Sequence, residues 1–138
     1  MNEEIPIGAV IVRDNKIIAS AYNKREQTQI ATHHAEILAI EKACKKLKSW
    51  RLDDCDLYVT LEPCPMCAGA ILNARIKNLY YAVKDTASGG DSRFEMFNNT
   101  LNHSTNCFHM QEFEEENKTM IQRFFHNKRQ NQRKPKNN

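Results

Sequence analysis

Two short stretches hold the residue types best suited to chemistry: Thr32-His33-His34-Ala35-Glu36-Ile37 and, further along, Pro63-Cys64-Pro65-Met66-Cys67. A Cys-x-x-Cys pair reads three ways. At the start of a helix, where thiolates are stabilised, it is a redox couple. With two further protein ligands it is half of a structural zinc site. With one further ligand it belongs to a catalytic metal centre that keeps a position open. A redox couple leaves the upstream stretch unexplained. His34 supplies a nitrogen and Cys64 and Cys67 two sulfurs, which makes the three-ligand set. Glu36 stands two residues past His34, near a metal there yet free of it. A carboxylate so placed takes a proton from an activated water and returns it to a leaving group. His33 fails this test, because Ala35 would then stand where the carboxylate is required. It reads as a loop or supporting residue.

Both motifs must therefore sit at helix starts on one sheet face, and the surrounding sequence supplies such elements. Ile7 to Val12 is apolar and rich in β-branched residues, Asp14-Asn15 is a turn, and Lys16 to Tyr22 returns, which predicts a hairpin. Both faces of that first strand are apolar, so the pattern predicts cover on both sides. Residues 23–33 read as loop. Ile37, Ile40, Cys44 and Leu47 recur at helical spacing and predict a helix over 34–48, with Thr32 as its N-cap. Strands are predicted at 55–61 and 76–83, with a helix at 66–74 between them, preceded by the tolerated Pro65. Residues 84–92 are a glycine-containing loop, 93–101 a short helix, 106–110 a last strand, and 111–128 a final helix. Alternating strands and helices predict an α/β sandwich with helices on both sheet faces.

Length and composition fit one domain: 138 residues can bury a core without disulfides. No apolar run reaches membrane-spanning length, and the start, Met1-Asn2-Glu3-Glu4-Ile5-Pro6, lacks the basic, apolar pattern of a signal peptide. A cytoplasmic location is the simplest expectation. Five cysteines, an odd count, argue against a disulfide framework. Cys44, Cys55 and Cys107 read as small apolar filler. Residues 123–138 hold six Lys or Arg and no Asp or Glu, so +6 sits there and −3 on the rest. That asymmetry fits either a polyanionic partner or a solvated tail. The division expected is a domain over 1–129 and a basic tail over 130–138.

His34-x-Glu36 with Pro63-Cys64-x-x-Cys67 matches the H-x-E…P-C-x-x-C signature of zinc nucleobase deaminases. With "EIPIGAVIV", "HAEILAI", "SWRL", "LYVTLEPCPMCAGAI", "LNH" and "FFHNKR", the chain resembles the bacterial tRNA-specific adenosine deaminases from Glu4 to about Arg129. The resemblance implies a cytidine-deaminase-like three-layer sandwich around a mixed five-stranded sheet. It implies a homodimer, one zinc ion per subunit, and conversion of wobble adenosine to inosine in a tRNA anticodon stem-loop. Glu36 would carry the proton, and backbone N–H groups near Ala35 and Cys64 would orient the attacking oxygen. Asn23 resembles the asparagine that hydrogen-bonds the target base, Asn102 and His103 the pair at the tRNA-facing rim, and Phe125 and Arg129 residues that contact the anticodon loop. Phe124 is expected in the core.

The chain also departs from the family. The helix that commonly precedes the "EIPIG" strand is missing from this sequence, so either the start is internal to a longer product or another element covers that face. Lys84 stands where an acidic or amide residue approaches the target sugar, and Asp85 takes that role after a shift of one residue. Pro65 stands where Val is frequent and is shared with free-base deaminases. The alternatives are therefore a guanine- or cytidine-type deaminase, and a non-catalytic zinc-stabilised RNA-binding subunit.

Overall fold

The computed structural model describes residues 4–98 and 104–133. β1 (Gly8–Arg13) and β2 (Lys16–Tyr22) form the predicted hairpin, with Arg13 opposite Lys16. Asp14 and Asn15 turn it at φ 52° and 60°, the left-handed pair of a type I′ turn that short polar residues tolerate. β3 (Asp56–Leu61) lies antiparallel to β1, and β4 (Asn78–Val83) and β5 (Asn106–His109) follow in parallel. The sheet order is β2-β1-β3-β4-β5. Parallel neighbours need a crossover, and α3 (Pro65–Asn73) supplies it between β3 and β4.

α2 (Ala35–Leu47) packs on β1 and β2. Its deepest residues are Ala35, Ala39 and Ala43, all fully buried and one turn apart, so the helix lies close to Ala9, Ile11, Ala19 and Ala21. The larger residues of the predicted stripe, Ile40, Cys44 and Leu47, flank that seam instead of filling it. Leu57, Ile71, Ile76 and Leu79 complete the core between the sheet and α3.

Several elements differ from the sequence reading. The N-cap of α2 is His34, not Thr32. The loop at 23–33 holds a one-turn helix, α1 (Arg25–Thr28). Residues 93–98 form turns, not the start of a helix. α4 (Glu114–Arg133) follows a 3-10 turn at Gln111–Phe113 and runs past the predicted end at 128. The second face of β1 is only half covered: Gly8, Val10 and Val12 are partly exposed, and a groove of about 400 Å³ lies between that face and Phe113 and Asn117. From Tyr58 in that groove a row of stacked rings runs across the neighbouring strands through Tyr80 to Phe108, with centroids 4.7 and 5.1 Å apart.

Candidate metal centre and active site

Two helix starts meet at the carboxyl end of β3. His34 is the N-cap of α2 and Cys64 the N-cap of α3, and neither side chain caps its own helix. Each remains available to a third party. Cys67 is the third residue of α3, so it projects over the same turn as Cys64. His34 Nδ1 lies 3.8 Å from Cys64 Sγ and 3.6 Å from Cys67 Sγ, and the three donor atoms fall within 4.8 Å of one another. A tetrahedral ion with metal–sulfur contacts of ~2.3 Å and metal–nitrogen contacts of ~2.0 Å sets nitrogen and sulfur ~3.6 Å apart. The donor set and its spacing therefore fit a metal ion of that geometry. Among the described residues this is the group of three able to hold one.

The electrostatics favour the ligand form at Cys64. Hydrogen bonding from the Cys67 side chain, aided by backbone N–H groups of Cys67 and Met66 and by His34, pushes its thiol down to about 5 against the penalty of burial. Sharing that hydrogen bond pushes Cys67 up, as does its burial. Glu36 lies one residue into α2 and is 4% exposed. Burial raises its carboxyl to about 7, opposed by hydrogen bonds from its own backbone N–H and from Cys67. A group poised there both accepts and releases protons near neutrality.

A cavity of about 200 Å³ opens onto His34, Glu36 and Cys64. Ile5, Ile7 and Leu61 supply apolar walls, and Asn23, Arg25, Glu62 and Asp85 polar ones. Asn23 is buried and donates its amide to Glu4 Oε1 at 3.3 Å. The same Glu4 carboxylate accepts the backbone N–H groups of Glu26 and Gln27, which fixes α1 beside the cavity. Ala35, fully buried, heads α2, so its N–H is among the donors a helix does not use itself. Asp85 lines the wall, while its carboxylate accepts from the backbone of Ala87 and Ser88 and from Ser88 Oγ. Lys84 is exposed.

His33 stands outside the ligand group, its Nδ1 buried without a hydrogen-bond partner. Phe125 and Arg129 lie on α4, and neither is among the described residues that line the cavity. Phe124 is not a core residue as expected: it is half-exposed and meets Phe125 edge-on at 5.3 Å. Asn102 and His103 lie outside the described residues. Sequence reasoning missed Arg25, Glu4 and Glu62. For Glu62 a signal existed: an acid just past an apolar strand and two residues before a ligand, with a Gly89-Gly90 pair downstream that permits close backbone approach.

A family model of MafB19-like deaminases matches residues 1–129. The chain belongs to the MafB19-like deaminase family. The tRNA-specific adenosine deaminase of Rickettsia bellii (strain RML369-C) is 45% identical to this deaminase over 130 residues, which span 88% of this chain and 86% of that protein. Guanine deaminase of Bacillus subtilis (strain 168) is 53% identical over 81 residues, 59% of this chain and 52% of that protein. A solved structure from work on A-to-I editing by tRNA:A34 deaminases matches with a TM-score of 0.77 at 41% identity, covering 83% of each chain. The mixed five-stranded sheet between helices is the cytidine-deaminase-like fold that the resemblance implies.

Proposed function

We propose that this deaminase converts adenosine to inosine at the wobble position of tRNA, with one zinc ion held by His34, Cys64 and Cys67. The observation that carries the substrate is the degree of likeness along comparable shares of the chain. Identity is 45% to a tRNA-specific adenosine deaminase over 88% of the chain and 37% to the guanine deaminase of Bacillus subtilis over 85%, and the tRNA:A34 deaminase structure superposes better, with a TM-score of 0.77 against 0.58. When bound, zinc supplies Lewis acidity that lowers the pKa of a water.

The chain's own residues supply the rest. Ile5, Ile7 and Leu61 exclude bulk water and bracket the base. Asn23, held by Glu4, presents its amide to the base edge. Glu36 takes the proton of the attacking water at its carboxylate and delivers it to the departing amino group, which leaves C6 as ammonia. N–H groups at Ala35 and Cys64, both at helix starts, orient the attacking oxygen. Phe125, 40% exposed, and Arg129 offer an aromatic face and a guanidinium to the anticodon loop, where unstacked bases are read. Asn102 and His103 are assigned to the same rim. A homodimer is part of this reading: on the outer face of α3, Met66 is 39% exposed and a side chain at Gly69 would meet nothing within 4 Å. A second copy would cover that surface.

The test gives zinc-loaded protein an anticodon stem-loop bearing wobble adenosine, beside free adenosine, cytidine and guanine. Inosine in the stem-loop alone is expected. Deamination of a free base alone would overturn the reading.

A further inference from the structure

Glu62 directly follows β3, is 2% exposed, and belongs to neither the ligand group nor the proton path. A carboxylate so deeply buried must be hydrogen-bonded or it is strongly destabilising. All its described partners come from one loop, residues 84–92. Oε1 accepts the backbone N–H of Asp85 at 3.0 Å and the hydroxyl of Ser92 at 2.5 Å. Oε2 accepts the backbone N–H groups of Asp91 at 3.0 Å and Ser92 at 2.6 Å. One side chain thus grips both ends of the loop.

Independent features make the same attachment. The N–H of Gly90 donates to the Pro63 carbonyl at 2.7 Å, and the Tyr81 hydroxyl donates to Asp91 Oδ2 at 2.8 Å. At Gly89 an added Cβ would fall 2.0 Å from Glu62 Oε2 and 2.5 Å from the Asp85 carbonyl oxygen. Only glycine lets the backbone pass there, and its φ is not positive, so space and not conformation is the reason. Asp85, at the head of the loop, lines the cavity, as Glu62 itself does. Glu62 is also two residues from Cys64.

We propose that Glu62 is a positioning residue for substrate binding: its carboxylate ties the loop 84–92 to the strand end that carries Cys64, and so fixes the cavity wall that Asp85 forms. The proposal rests on the reading that this cavity takes the target adenosine. If the wall is in place only a fraction of the time, apparent affinity falls by that fraction. The chemical step is spared, because His34, Glu36, Cys64 and Cys67 are held by α2 and α3.

The test compares zinc-loaded wild type with Glu62→Gln, Glu62→Ala and Gly89→Ala. Glu62→Gln is expected to raise KM for the stem-loop about tenfold, and Glu62→Ala further, with kcat within about threefold and zinc per chain unchanged. Hydrogen exchange should quicken at the amides of Asp85, Asp91 and Ser92 while α2 and α3 stay protected. Gly89→Ala, acting from the loop side, should give the same pattern. Should Glu62→Ala fail to fold, Glu62→Gln carries the test, since it keeps the side chain's volume and one acceptor oxygen. A fall in kcat at constant KM, loss of zinc, or unchanged exchange in the loop would each overturn the proposal. If the wild type leaves the stem-loop untouched, the substrate reading fails and the exchange measurement still decides whether Glu62 holds the loop.

Discussion

His34 and Glu36 differ in role because of where each falls on the first turn of α2. His34, as N-cap, has extended backbone angles and points off the helix end, whereas Glu36 is already helical and turns inward to 4% exposure. Burial holds the Glu36 carboxyl near 7, where it exchanges a proton in both directions. Glu36→Gln keeps shape and burial and removes only the proton. General acid–base groups contribute ~10²–10⁴-fold, so kcat should fall within that range while zinc per chain stays at the wild-type value. Single-turnover assays with metal analysis check this; loss of zinc would show Glu36 to be a ligand. Cys67 is the complementary case, fully buried with its sulfur 3.6 Å from His34 Nδ1. Cys67→Ser should abolish stoichiometric zinc binding. A metal that binds only the folded state stabilises it, so chelation should lower the wild-type melting temperature and zinc should restore it. The Cys67→Ser protein should melt at one temperature with or without chelator.

At the scale of elements, the sequence was most readable where one pattern had one physical cause. The hairpin followed from β-branched residues around Asp14-Asn15, and α3 from a proline at a helix start. The helix over 34–48 was placed within a residue at each end, yet its buried seam was misjudged: hydrophobicity scores Ile37 above Ala39, while close approach of helix to sheet selects the smaller side chain. α1 was illegible because Arg25-Glu26-Gln27-Thr28 has no apolar face; its first turn is held by Glu4, a distant residue. The metal trio was legible because ligand chemistry restricts both residue type and spacing. Glu62 was harder to read: the acid and the Gly89-Gly90 pair are both visible, but nothing in the sequence joins one to the other. Lys48 offers a test of element-level reasoning. It closes α2 at φ 53°, ψ 43°, a left-handed conformation that strains a residue with a Cβ. Lys48→Gly should stabilise the protein by about 0.5–1 kcal/mol, net of the greater freedom glycine gives the unfolded chain. The urea midpoint should rise with the slope unchanged.

Across the whole molecule, charge and anchorage run along α4. Its first turn holds Glu114, Glu115 and Glu116, and its later turns Arg123, Lys128, Arg129 and Arg133, an order that complements the helix dipole. Among the described residues the first turn carries the ties to the sheet side: Glu114 pairs with His109 at 3.5 Å and accepts the Lys84 N–H at 3.4 Å. A helix of 20 residues is ~30 Å long, so its basic end stands well away from that anchor. Met120 and Phe125, 41% and 40% exposed, accompany the cations. Aromatic planes beside cations suit single-stranded RNA, and each phosphate contact adds to the salt dependence. Residues 130–138 contain Arg133, Lys134 and Lys136. Deleting them removes three cations. If all three meet phosphates, the slope of log affinity against log salt should flatten by ~2 for a single-stranded loop. KM for the stem-loop should rise at physiological salt while kcat holds, because Glu36 and the ligands lie on α2 and α3. Titrations of the stem-loop at four salt concentrations decide the point: an unchanged slope would make the basic end a solvated extension, and binding would then have to rest on the cations nearer the cavity, Arg25 first among them.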